Sequence, residues 1–78
     1  MNSVSKVHLD RAATKDNILS IAKFKGFSVQ DYNRTVKDFS ARYREAAHKT
    51  RLSEIDKYAV IAQVLDVRLD DLFVITES

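Results

Sequence analysis

The chain has 78 residues, 45% hydrophobic and 31% charged, which suits one small globular domain and argues against disorder. It contains no Cys, no Pro and a single Gly, Gly26, so disulfides and thiolate metal sites are excluded and helices are favoured over turn-rich β architecture. The 13 Lys and Arg against 11 Asp and Glu leave a net charge of +2. No apolar run approaches the ~20 residues of a membrane span, and no signal-peptide core opens the chain, so a soluble, cytoplasmic protein without membrane contact is expected.

The charge is unevenly placed. Residues 37–51 carry five basic groups (Lys37, Arg42, Arg44, Lys49, Arg51) and two acidic ones, whereas residues 52–78 carry two basic and six acidic. Such asymmetry points to a positive face for a polyanion and an acidic face turned elsewhere. A domain this small buries only about 60% of its unfolded surface, so association with a second copy is a plausible supplement to its core.

In chain order, Val4, Val7 and Leu9 follow no sustained period. Residues 1–13 therefore read as an N-terminal arm, with at most a helical turn around Leu9–Ala13, and residues 14–78 as the domain. Thr14 or Asp16 caps a first helix to about Lys25, with Ile18, Ile21, Ala22 and Phe24 buried. Gly26 stands where a left-handed residue ends that helix, and Phe27 packs back onto its last turn. Ser28, with Asp31 three residues on, caps a second helix bearing Val29, Tyr32 and Val36. Two readings of the next stretch are open. Asp38 or Ser40 could cap a third helix carrying Phe39, Tyr43, Ala46 and Ala47, or a single helix could run from Val29 to about His48, because the 3-4 apolar spacing continues without a breaker.

His48–Leu52 reads as a basic loop. Ser53 and Asp56 form a capping box for the most strongly patterned helix, with Ile55, Tyr58, Ala59, Ala62 and Leu65 on its apolar stripe. Asp66 ends it, Val67 and Leu69 turn inward, and Asp70–Phe73 suits one short further turn. Phe73–Thr76 is β-prone and would be most useful as a strand across a dimer.

Two segments carry a family resemblance. Ile61–Phe73, IAQVLDVRLDDLF, is similar to the "IAKALGVSLDDLF" signature of the Cro/repressor-type helix-turn-helix family (lambda-repressor-like domains). Gly26-Phe27-Ser28 is similar to the "GLS" that opens that family's second helix. The match runs from about Asn17 to Phe73, with Tyr32, Val36, Tyr43 and Ala46 on the family's buried positions. The departures fall in the reading head. Asn33 replaces a small residue, Lys37 a turn Gly, and Asp38 a small apolar residue, while Gln30 stands one place after the family's Gln, where this chain has Val29.

The resemblance implies an all-α, five-helix helix-turn-helix domain that acts as a sequence-specific transcriptional regulator, binding a pseudo-palindromic operator in double-stranded DNA as a homodimer. Carried onto matching positions, Ser40, Ala41, Arg42 and Arg44 would meet base edges, and one bidentate arginine–guanine contact would discriminate by about 1–3 kcal/mol. Ser28 and Gln30 would meet phosphate or a base at a helix N-terminus. Lys37, His48, Lys49 and Arg51 would contact phosphates.

Two other readings compete with the regulator. The first is a protein-interaction module on the same scaffold (an anti-repressor, a repressor modulator or an antitoxin-like binder) that meets a partner protein through Phe39 and Tyr43. The second is a structural helical dimer built on the continuous helix. In the plainest reading of the charges, Arg42, Arg44 and Arg51 are solvated and paired locally with Asp38 or Glu45. Tyr32, Tyr43 and Tyr58 at helical spacing read as core. His8 and His48 lack ligand spacing, and no nucleophile–base arrangement is visible, so no metal, cofactor or enzymatic activity is expected.

Overall fold

Three α-helices are closed at one end by a two-stranded antiparallel sheet that joins the two ends of the domain. The computed structural model describes residues 7–77. In chain order these are β1 (Val7–Leu9), α1 (Arg11–Phe24), α2 (Val29–Ala46), α3 (Glu54–Leu65), a single 3-10 turn (Leu69–Asp71) and β2 (Ile75–Glu77).

This corrects the five-helix helix-turn-helix expectation. The expected second and third helices are one continuous helix of 18 residues, and the expected fifth is only the 3-10 turn. The reason lies in α2 itself. It has no Gly or Pro, and Tyr32, Val36, Phe39 and Tyr43 keep one apolar seam at 4-3-4 spacing. Same-helix ion pairs, Asp31–Arg34 and Asp38–Arg42, tie neighbouring turns on either side of Lys37. Nothing at Lys37 favours leaving the helix. The left-handed residue that ends α2 comes at His48, φ 55°. There the His48 N–H reaches the Glu45 carbonyl at 3.2 Å and the Lys49 N–H the Arg44 carbonyl at 2.8 Å, the paired closure of a Schellman motif.

The other caps follow the sequence closely, with one displacement. At the end of α1, Gly26 adopts φ 94°, and Phe27 and Gly26 donate to the Ala22 and Lys23 carbonyls at 2.9 and 3.0 Å. Ser28 caps α2 by accepting from the Asp31 N–H. Ser53 and Asp56 cap α3 reciprocally, each donation measuring 3.1 Å. α1, however, begins before Thr14 or Asp16: Asp10 is its cap, accepting from the Ala13 N–H at 2.9 Å. Thr14 is fully buried and its hydroxyl oxygen accepts from the Val74 N–H at 2.9 Å.

That bond belongs to the clasp between the chain's ends. β1 and β2 pair with Val7 opposite Glu77, His8 opposite Thr76 and Leu9 opposite Ile75. The Asp10 N–H extends the ladder to the Val74 carbonyl, and the Asn17 amide donates to the Asp71 and Leu72 carbonyls at 2.9 and 3.0 Å. Residues 7–13, expected in a free arm, are thus strand and first helical turn; the arm's first six residues lie outside the described residues. The C-terminal strand finds its partner within its own chain rather than across a dimer.

The core is small. Ile18, Ala22, Tyr32, Ala62, Leu65 and Leu72 form it, with Val36, Tyr58, Ile61 and Val64 packed against them, and α2 packs principally on α3. Burial pushes the Tyr32 phenol above its ordinary pKa. Tyr58 meets Phe73 edge-on, with ring centres 5.1 Å apart. Two sequence assignments fail here. Val60, not Ile55, is fully buried on α3, where Ile55 is 55% exposed; Phe24, expected in the core, is 88% exposed. No helix of the described residues is long and apolar enough to cross a membrane.

Candidate nucleic-acid interface

α2 has two differently charged flanks. Successive residues turn by about 100° around a helix axis, so Asp31, Arg34, Asp38 and Arg42 share one flank and pair among themselves, Arg42 lying 3.7 Å from Asp38. The Arg42 guanidinium also sits 5.5 Å from the centre of the Phe39 ring. The other flank, spaced 4-3-4 along the same helix, carries Asn33, Lys37, Ser40 and Arg44 and no acidic residue.

This second flank borders the seam between α2 and α3. A cavity of about 320 Å³ lies there, with Val36, Leu52 and Ile61 as its apolar wall and Ser40, Arg44, Thr50, Arg51 and Lys57 as its polar rim. A second cavity, about 330 Å³, shares Ile61 and continues between the helices past Tyr32 and Asn33 to Lys15 and Arg11. Neither contains an acidic side chain. Arg11 is paired with Glu54, but Lys15, Lys37, Arg44, Arg51 and Lys57 make no ion pair among the described residues. Unopposed charge of one sign along a groove with an apolar wall concentrates positive potential and draws anions toward it.

The loop that supplies Thr50 and Arg51 is anchored by a charged knot. Lys49 donates to the Asp56 carboxylate at 2.9 Å and the Tyr43 hydroxyl donates to its other oxygen at 3.2 Å. Asp56 simultaneously accepts from the Ser53 N–H. The Lys49 ammonium, and then the Ser53 and Tyr43 donors, hold the Asp56 carboxyl well below the usual carboxylate range against the opposing effect of its desolvation. The same hydrogen bond raises the Lys49 pKa. The knot fixes where α2 ends and α3 begins, and so fixes the groove between them.

The structure therefore divides the residues singled out in the sequence. Ser40, Arg44 and Arg51 come together on the groove rim, and Lys37 lies on the same flank of α2 as Ser40 and Arg44. Ser28 is the exposed cap of α2 and Gln30 lies in its first turn. Ala41 is exposed beside the basic flank. Arg42 is engaged on the opposite flank, Lys49 is committed to Asp56, and His48 holds the left-handed position after α2. Thr50, Lys57 and Lys15 join the site without having stood out in the sequence. They carry no motif, and only the packing of α3 and α1 against α2 brings them there. Phe39 and Tyr43, the expected protein-docking pair, are half-buried, with the Tyr43 hydroxyl turned inward to Asp56. No cluster of three or more His, Cys, Asp or Glu that could hold a metal occurs among the described residues.

The fold and site thus define a small three-helix domain with a basic groove between its second and third helices. No protein-family model matches this chain, and no curated protein or solved structure matches it.

Proposed function

We propose that the protein is a double-stranded-DNA-binding transcriptional regulator that grips the phosphate backbone in the groove between α2 and α3. The carrying observation is the segregation of charge on α2: Asp31 and Asp38 are paired on one flank, while Lys37 and Arg44 stand on the other, where Arg44 shares the groove rim with Arg51 and Lys57 without an opposing carboxylate. Phosphate contacts of this kind supply affinity and register, and base edges supply specificity. In this reading the Asn33 and Ser40 side chains, exposed and half-exposed along α2, would meet base edges once the groove holds a strand. Regulation by a homodimer that occupies a pseudo-palindromic operator is the mode this reading implies.

The test is fluorescence anisotropy of labelled duplexes across a salt series, with operator candidates taken from in vitro selection. Five unopposed cations predict a slope of log K against log salt of about −4.5 if all of them meet phosphates. Arg44→Ala should weaken binding and lower that slope by about 1, whereas Arg42→Ala, whose charge Asp38 already opposes, should change neither. Equal effects of the two substitutions, or binding indifferent to salt, would refute the groove as the interface. Enrichment of no motif would leave a backbone binder without an operator.

A further inference from the structure

The groove beside α2 is longer than its basic rim. Three cavities, about 460, 330 and 320 Å³, share walls: Leu19 and Tyr32 belong to the first and second, Ile61 to the second and third. Together they form one trough. Val29, Tyr32, Val36, Ser40 and Arg44 line it from α2 at 3-4-4-4 spacing, all within about 120° of the helix circumference. Val29 and Arg44 are 15 residues apart, about 22 Å along the axis. The floor is apolar and reaches water: Leu19, Phe27, Val36, Leu52, Tyr58 and Ile61 are half-buried, and Val29 is 64% exposed. No acidic side chain lines any of the three cavities. Lys15, Lys23, Arg44, Arg51 and Lys57 stand along them and make no ion pair among the described residues. A phosphate chain satisfies such a rim but leaves the floor wet, because only an apolar occupant removes apolar surface from water.

We infer that the trough is the docking site for an acidic amphipathic helix of a partner protein, whose apolar stripe covers the floor and whose carboxylates meet the rim cations. Charge complementarity selects the acidic flanks, since every charged group in the trough wall is a cation apart from none that is acidic. The periodicity of the floor selects a helix. Its α2 side chains recur about once per turn, the spacing at which the i, i+3, i+4 and i+7 anchors of a docked helix recur, and four turns of about 5.4 Å span the trough. No helix of this chain fits that description. α1 and α2 carry more cations than anions, and α3 turns its buried apolar residues to its own core. The occupant therefore belongs to another protein.

A docked acidic helix covers Arg44, Arg51 and Lys57, the cations assigned to phosphate above. Helix and duplex are then mutually exclusive, and the partner acts as a competitor that takes the protein off DNA. This competition rests on the regulator reading; the docking of the helix does not, because the floor and the unopposed cations exist whether or not DNA binds.

The test is fluorescence anisotropy of the full chain with a fluorescein-labelled peptide of about four helical turns. It carries leucines at i, i+3, i+4 and i+7 spacing, glutamates on both flanks of that stripe and alanines elsewhere. A scrambled isomer keeps its charge and composition but not its stripe. The periodic peptide should bind at micromolar concentration, and the isomer about tenfold or more weakly. Arg44→Ala should weaken peptide and duplex together. Val29→Gln, which leaves the charge unchanged, should weaken the peptide about threefold or more without moving duplex affinity or its salt slope. Leu52→Gln, at the other end of the floor, serves if Val29→Gln perturbs folding by far-UV circular dichroism. Equal binding of the two isomers overturns the inference, since charge alone would then account for it. So does a periodic peptide that fails to bind at high micromolar concentration, or one whose binding survives both floor substitutions. Binding of the periodic peptide by a protein that binds no duplex upholds the helix site and refutes the DNA reading.

Discussion

Replacing Lys37 by proline examines the feature on which the architecture turns, the continuity of α2. Lys37 is exposed and makes no ion pair among the described residues, so its side chain contributes little to stability and the substitution reports on the backbone. Inside a continuous helix, proline removes the N–H that reaches back to the Asn33 carbonyl and its ring collides with that carbonyl, at a cost of about 3 kcal/mol or more. A 78-residue domain has about 4–12 kcal/mol of stability in all. The variant should therefore be close to unfolding at room temperature, with a melting point lowered by about 12–24 °C if it folds. Lys37→Ala should lie within about 0.5 kcal/mol of the parent and Lys37→Gly should cost about 1 kcal/mol. Urea titration followed by circular dichroism at the helix band measures all three. A proline no worse than the glycine would mean that the chain already leaves the helix at Lys37, and two helices with a turn would replace α2.

Four further outcomes follow from the structure. Ser53→Ala should cost about 1 kcal/mol through loss of the α3 cap. Because the folded state lowers the Asp56 pKa, that carboxylate's contribution is fully present above the unfolded value of about 4 and is lost as pH falls through the folded value. The parent should therefore lose stability on acidification below about pH 4, and Asp56→Asn should be less stable at neutral pH with a shallower acid loss, read by urea midpoints across pH. His48→Gly and Asp66→Gly each relieve a left-handed residue that carries a Cβ (both at φ 55°) and should stabilise by about 0.5–1 kcal/mol in thermal melts. Leu65→Ala, at a buried site on α3, should cost about 2–5 kcal/mol, while Ile55→Ala should stay within about 0.5 kcal/mol; equal costs would refute the burial pattern on α3.

Much of the candidate site was legible only as a list. Lys37, Arg44 and Arg51 stood out as basic residues in one charged stretch, but Arg42 and Lys49 stood out for the same reason and have other partners. Spacing on one helix separates Arg42 from Arg44 by about 200°, which places them on different flanks whether the stretch is read as one helix or two. The role of Lys49 was less accessible, since Asp56 lies seven residues on, across a loop and a cap. Lys57 and Lys15 were invisible because a lone lysine on a helix gives no signal until the neighbouring helix is in place.

The sequence by itself determined the local features, because each depends on residues within four or five positions of one another. The capping box of Ser53 and Asp56, the glycine end of α1, the stop at Asp66 and a short turn beyond it, expected at Asp70–Phe73 and found at Leu69–Asp71, are all of this kind. The tertiary structure decided what depends on partners far along the chain. One apolar seam served equally for one helix or two, and its packing on α3 accompanies a single α2. A β-prone tail served equally for a dimer strand or an internal one, and Val7–Leu9, nearly seventy residues earlier, took it. Thr14 reads as a cap in any local window, but its hydroxyl is the acceptor for the N–H of Val74. Phe24 is the opposite case: expected in the core, it lies about 200° around α1 from buried Ala22 and about 120° from buried Ile18, so the helical period itself points it to solvent, where it stands.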